Sequence, residues 1–255
     1  EVLSNAAKAI IDFNGSGLSL LSISHRSKDF EDVINQAQVL FRELLHIPDN
    51  YKIFFVSGGA STQFFHIPAN FLKTKAGYVN TGVWTKKAIK EARYYGEVEI
   101  VASSEDRNFT YIPKGFKIPT DLDYLYICSN NTIYGTEYHT DIDSPVPLIA
   151  DMSSDILSRP VDVSKYGLIH AGVQKNCGPA GVQIVIVRED LIPDDLPGVP
   201  TMLRFKTHAD SGSLYNTPPS YGIYVCGLVF KWLKEMGGLS VMAERNKEKA
   251  AILYD

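Results

Sequence analysis

The stretch "PLIADMSSDILSRPVDVSKYGLIHAGVQKNCGPAGVQIVIVRE", residues 147–189, holds three short apolar runs: "PLIAD" (147–151), "GLIHAG" (167–172) and "VQIVIVRE" (182–189). Each is too short for a helix and too uniformly apolar for a strand with one wet face, so each reads as a strand buried on both sides. The first ends on a carboxylate, Asp151, and the second runs into a lysine, Lys175, among small residues. Burying a carboxylate without a partner costs several kcal/mol. Asp151 therefore caps itself with a local serine (Ser153 or Ser154) or holds a protonated heterocyclic nitrogen. Lys175 has no acidic neighbour in "HAGVQKNCGPAG" (170–181). It reads either as a lysine reaching the surface or as a desolvated Schiff-base amine.

Outward from this stretch the same grammar repeats. "YKIFFVS" (51–57), "AGYVN" (76–80), "VEIVAS" (98–103) and "LDYLYICSN" (122–130) are further strand candidates. Between them lie helical patterns. Val33, Ala37, Leu40, Phe41, Leu44 and Leu45 follow helical spacing, with Asp29 expected as the N-cap. "GGASTQFFHIPANFL" is expected to be a helix interrupted by Pro68, and 85–95, 221–236 and 239–254 complete the set. Alternating strands and helices predict an α/β fold with a mostly parallel central sheet and helices on both faces.

The 255 residues are 45% hydrophobic with a formal net charge of −4, enough for one large domain and without the basic runs of a nucleic-acid binder. No apolar run reaches the about 18 residues of a membrane span. Cys128, Cys177 and Cys226 are widely spaced, without CxxC pairing, and read as reduced thiols of a cytoplasmic protein.

Ligands of open α/β sheets gather beyond the carboxyl ends of strands. There the sequence places Ser57-Gly58-Gly59-Ala60-Ser61, Trp84, Thr132, Asp151, Gln174 and Lys175. The glycine turn before a helix suits a phosphate, or is simply a tight turn. Trp84 is a stacking face or core packing. Together, a phosphate cradle, a flat ring, a hydroxyl, a carboxylate and an amine match one cofactor, pyridoxal 5'-phosphate.

"ISHRSKDF", "GGASTQF", "GVWTKKAIKEA", "ADMSSDILSRPVDVSKYGLIHAGVQKNCGPAGV" and "YNTPPSYGIYV" occur in order along nearly the whole chain. They resemble the phosphoserine aminotransferases, class V members of the fold-type I pyridoxal-phosphate enzymes. The resemblance implies the large domain of a PLP-dependent transferase. In that reading Lys175 bonds the cofactor aldehyde and shuttles a proton, and Asp151 pairs with the pyridine nitrogen. Trp84 stacks on the ring, while Thr132 and Gln174 contact the cofactor. Ala60 and Ser61 bind its phosphate. Asn216 and Thr217 reach the phosphate in a neighbouring subunit, so the resemblance implies a homodimer with shared active sites. His25 and Arg26 face the substrate's anionic groups. The family exchanges the amino group between glutamate and 3-phosphohydroxypyruvate in serine biosynthesis. Some members use the related hydroxythreonine pair of pyridoxine biosynthesis.

Where some relatives carry an arginine in the glycine turn, this chain has Ser61. The resemblance also divides the chain: residues 1–238 as the cofactor-binding large domain, and 239–255 as the start of a connection to a C-terminal small domain outside this sequence. The competing readings are another class V enzyme, of the alanine–glyoxylate aminotransferase or cysteine desulfurase type, and a non-catalytic α/β domain. A desulfurase needs a mobile reactive cysteine, and Cys177 looks too confined. A nicotinamide enzyme is disfavoured by the absence of GxGxxG.

Overall fold

The computed structural model describes residues 1–254. Seven strands form one sheet: β1 (Tyr51–Ser57), β2 (Lys75–Asn80), β3 (Glu97–Ser103), β4 (Tyr124–Cys128), β7 (Leu148–Asp151), β8 (Leu168–Gly172) and β9 (Val182–Arg188). Their order is β1-β9-β8-β7-β4-β2-β3. The pairs β2–β3, β2–β4, β4–β7 and β7–β8 are parallel, whereas β9 is antiparallel to both β8 and β1. Every strand of the sheet except β9 thus points the same way. Two short strands, β5 (Asn130–Asn131) and β6 (Thr136–Glu137), pair in a separate hairpin.

Period-two alternation distributes the strand side chains between two cores. On one face Ile53 and Phe55 of β1 and Ile184 and Ile186 of β9 pack with α2 (Lys28–Leu45) and α6 (Ser220–Glu235) through Phe30, Phe41, Cys226 and Phe230. On the other, Phe54, Val56, Val185 and Val187 meet α3 (Ala60–Phe71) and α4 (Val83–Ala92) through Phe64, Ile67 and Ile89. The expected mostly parallel sheet with helices on both faces is the one observed.

Local details correct the expectations. The N-cap of α2 is Ser27, whose side chain accepts from the Phe30 amide; Asp29 stands in the first turn, where its charge suits the helix dipole. Pro68 does not interrupt α3, which continues to Phe71 with the proline inside its final turn. There Leu72 N donates to the Pro68 carbonyl at 3.1 Å, so the helix closes around the proline rather than before it. Trp84 lies in the first turn of α4, not at a strand end, because Thr85 starts that helix: its Oγ1 accepts from the Thr81 and Gly82 amides. Helices α1 (Val2–Ile11) and α5 (Phe205–Asp210) were not anticipated. The expected boundary at 238 falls at the first residue of α7 (Gly238–Tyr254), and Asp255 lies outside the described residues. No helix is long and apolar enough to cross a membrane among the described residues.

Candidate active site

Because the strands flanking β9 are parallel to each other, the ends of β1, β7 and β8 meet at one edge. The cradle begins at Gly58, whose N–H donates to the Gly181 carbonyl at 3.1 Å. Its φ of +113° is a conformation that glycine alone adopts cheaply. Gly59 caps α3 in extended conformation, and a Cβ added to it would meet no atom within 4 Å. Among the described residues the amides of Gly59, Ala60 and Ser61 donate to no protein acceptor. Open space above unpaired N–H groups, at the positive end of a helix dipole, is the anatomy of an anion site.

Gln174 borders this cradle. A Cβ on Gly172 would lie 2.8 Å from Gln174 Oε1 and 3.4 Å from Ala60 N, so the glycine lets the end of β8 and the start of α3 approach closely.

Asp151 is buried at the end of β7. Its Oδ1 accepts from Ser153 N at 2.9 Å and Ser153 Oγ at 2.6 Å. Ser153 Oγ in turn accepts from Gly172 N at 2.9 Å. The serine cap is thus Ser153, and it engages one carboxylate oxygen only. Oδ2 accepts no hydrogen bond among the described residues, which leaves it for a donor.

Lys175 projects from the turn after β8. That turn is anchored by buried Cys177 and by Asn176, whose Nδ2 donates to the Ile156 carbonyl at 2.7 Å. Lys175 is exposed, which corrects the expectation of a desolvated amine: small neighbours make room for water as readily as for a ligand. Its Nζ donates to Thr132 Oγ1 at 2.7 Å and Ser154 Oγ at 2.8 Å, and those hydroxyls are 2.7 Å from each other. The amine also stands 5.7 Å from the centroid of the Trp84 ring. Trp84 Nε1 is buried without a hydrogen-bond partner. Thr81 Oγ1 donates to Asn131 Oδ1 at 3.1 Å, tying the Trp84 turn to the Thr132 turn.

Lys175, Thr132, Trp84, Gln174, Asp151, Ala60 and Ser61 therefore share one edge of the sheet. Sequence reasoning did not assign Ser154 a contact with the lysine; no local signal separates it from Ser153. His25 and Thr217 form a separate pair, with Oγ1 and Nδ1 3.2 Å apart, while Asn216 Nδ2 donates to the Thr217 carbonyl. Arg26 is exposed. No hydrogen bond joins these four to the Lys175 group among the described residues. All three cysteines are buried and free, and burial pushes the Cys177 thiol well up and the Cys226 thiol up to about 12. Such thiols are poor nucleophiles, which weighs against the desulfurase reading.

The description Aminotransferase class-V matches residues 1–255. The phosphoserine aminotransferase of Phocaeicola vulgatus is 56% identical over 254 residues, covering 100% of this chain and 71% of the relative. The solved phosphoserine aminotransferase from Bacillus circulans subsp. alkalophilus superposes with a TM-score of 0.97 at 47% identity, covering 100% of this chain and 72% of the other. The PLP-bound phosphoserine aminotransferase from Trichomonas vaginalis gives a TM-score of 0.95 at 39% identity, covering 99% and 77%.

An amine, a half-open carboxylate and an anion cradle on such a sheet are the equipment of an aminotransferase, and the chain belongs to the class-V aminotransferase family. Its place within that family is among the phosphoserine aminotransferases.

Proposed function

We propose that the protein moves the amino group of glutamate to 3-phosphohydroxypyruvate, giving 2-oxoglutarate and phosphoserine, with pyridoxal 5'-phosphate as cofactor. The observation that carries this reading is the amine of Lys175, held by two hydroxyls rather than by a carboxylate and facing the Trp84 ring. When bound, the cofactor supplies an aldehyde that takes the amino group and a pyridinium ring that accepts the electron pair released at the substrate Cα.

The free Oδ2 of Asp151 would accept from the ring nitrogen and keep it charged, while the bonds from Ser153 to Oδ1 hold the carboxylate in place. With the cofactor bound, Lys175 would take the substrate Cα proton and deliver it to the former aldehyde carbon of the cofactor, two atoms away across the nitrogen, acting in turn as base and acid. The Thr132 hydroxyl, 2.7 Å from that of Ser154, would donate to the ring oxygen. Trp84 would stack on the ring, and Gln174 would contact the cofactor near the cradle. The amides of Ala60 and Ser61 bind the phosphate. Asn216 and Thr217 reach the phosphate held by the other subunit of a homodimer, and His25 and Arg26 bind the anionic groups of the substrates.

The experiment is a visible absorption spectrum, then borohydride reduction and peptide mass mapping. A cofactor adduct trapped on Lys175, and lost when glutamate is added before reduction, is the expected result. Absence of any protein-bound visible band after incubation with pyridoxal 5'-phosphate and removal of the unbound cofactor would overturn the reading.

A further inference from the structure

Beneath the cradle a line of polar side chains crosses the sheet. Tyr126 Oη lies 3.0 Å from His170 Nε2, Gln183 Nε2 lies 3.1 Å from His170 Nδ1, and Thr62 Oγ1 donates to Gln183 Oε1 at 3.0 Å. Tyr126, His170 and Gln183 come from β4, β8 and β9, and Thr62 from the first turn of α3. His170 and Gln183 are wholly buried. An imidazole and an amide in that position are costly unless fully paired, and they add little that apolar side chains would not. Their arrangement is directional. Gln183 Nε2 donates to Nδ1, so the single proton of neutral His170 sits on Nε2 and is donated to Tyr126. Burial holds His170 below its ordinary pKa, in keeping with a neutral ring.

The far end of the line is the glycine turn. With its amide nitrogen committed to His170, Gln183 presents Oε1 to Thr62. The Thr62 hydroxyl hydrogen is shared between that oxygen and the Gly59 carbonyl, 2.8 Å away. Thr62 N donates to the same carbonyl at 2.9 Å. The Gly59 carbonyl is thereby drawn into the helix, and the neighbouring amides are left free. The Thr62 methyl supports the turn from beside it: a Cβ on Gly58 would come within 2.7 Å of Cγ2.

We propose that His170 and Gln183 are positioning residues of the phosphate cradle. Acting through Thr62, they hold the Gly58–Ser61 turn so that its amides face a phosphate. This rests on the pyridoxal-phosphate reading above. It predicts that the pair matters for the phosphate of the cofactor and not for its ring.

The test compares the affinities of the apoprotein for pyridoxal 5'-phosphate and for pyridoxal, followed by absorbance, in wild type, His170→Phe, His170→Asn and Thr62→Val. His170→Phe removes both links, whereas the amide of His170→Asn can still accept from Gln183. His170→Phe and Thr62→Val should weaken pyridoxal 5'-phosphate binding about tenfold, as loss of a hydrogen-bonded support does, with pyridoxal binding unchanged and His170→Asn near wild type. Equal loss for both ligands, or no loss for either, would overturn the proposal. Amide hydrogen exchange at Gly58 and Thr62 of the cofactor-free protein, the two N–H groups of the turn that are hydrogen-bonded, decides the matter separately, and should be faster in His170→Phe than in His170→Asn. If wild type binds neither ligand, the functional reading fails while this exchange measurement still tests the positioning. Unchanged exchange in His170→Phe would sink it. Should His170→Phe not fold, Thr62→Val and His170→Asn carry the comparison.

Discussion

Lys175 Nζ and Thr132 Oγ1 stand 2.7 Å apart although 43 positions separate them in the chain. No carboxylate forms an ion pair with this lysine among the described residues; its partners are hydroxyls. Hydroxyls hold an amine in place without fixing its charge as strongly as a carboxylate would, and they yield readily to another ligand. Lys175→Arg should therefore keep the contacts and the fold, with a midpoint of urea unfolding close to wild type. It should lose the borohydride-trapped adduct entirely and turnover by about 10²–10⁴-fold, the usual contribution of a proton-transferring side chain. Retained trapping at another lysine would show that Lys175 is misassigned.

Adjacent serines should behave oppositely. Ser153 bonds Asp151 Oδ1 and Gly172 N in the interior, so Ser153→Ala should cost about 1–3 kcal/mol in urea titration. Among the described residues the Ser154 hydroxyl hydrogen-bonds only Thr132 and Lys175. Ser154→Ala should leave stability within about 0.5 kcal/mol, while slowing the single-turnover reaction with glutamate. A reversed order would mean that the hydroxyls have been given each other's tasks.

Hybrid dimers test the proposed sharing of the site between two subunits. A Lys175→Ala chain and a Thr217→Ala chain should each be nearly inactive alone. Unfolded together and refolded, they should recover roughly one quarter of wild-type activity, because half the dimers then contain one intact site. No recovery on mixing would place Thr217 in its own subunit's site.

Stability should depend on pH through two buried groups of opposite sign. Burial lowers His66 from 6.5 to about 4, so between these values the unfolded chain binds the extra proton and stability rises with pH. Burial raises Asp155 from 3.8 to about 6, so there the folded chain binds the extra proton and stability falls with pH. His170 and His208 are also lowered by burial and side with His66. Urea titrations across this window should show a rise with pH that Asp155→Asn steepens and His66→Gln flattens. An unchanged slope in Asp155→Asn would mean that its carboxyl is ionised throughout.

The sheet strands other than the half-exposed edge strand β3 were legible because each is largely buried on both faces, which demands a short apolar run such as "QIVIV". Their direction was not: nothing in the side chains of β9 distinguishes a reversed strand from its parallel neighbours. The placement of Asp151 and Lys175 at strand ends was legible for the same reason as the strands. The partners of these residues were less so, since Ser154 meets Lys175 only once β7 and β8 lie side by side. The His170–Gln183 contact likewise depends on the register that sets Gly172 opposite Gln183. Small residues around Lys175 suggested seclusion, whereas a turn of small residues at a sheet edge is open to water. Asp29 was expected as the cap of α2 and Ser27 takes that place, because the cap is set by backbone angles that composition does not reveal.

The reversed strand also has a bearing on how the protein is made. β9 is the last strand of the sheet to leave the ribosome, yet it lies between β1, the earliest, and β8. Until residue 188 has been synthesised, β1 has no neighbour in the sheet, and the glycine turn at its end has nothing to hold it beside Lys175. Such long-range pairing is slow to form. On the proposed function, cofactor capture is therefore a late event in the life of the nascent chain, and growing chains halted before β9 should emerge unable to retain it.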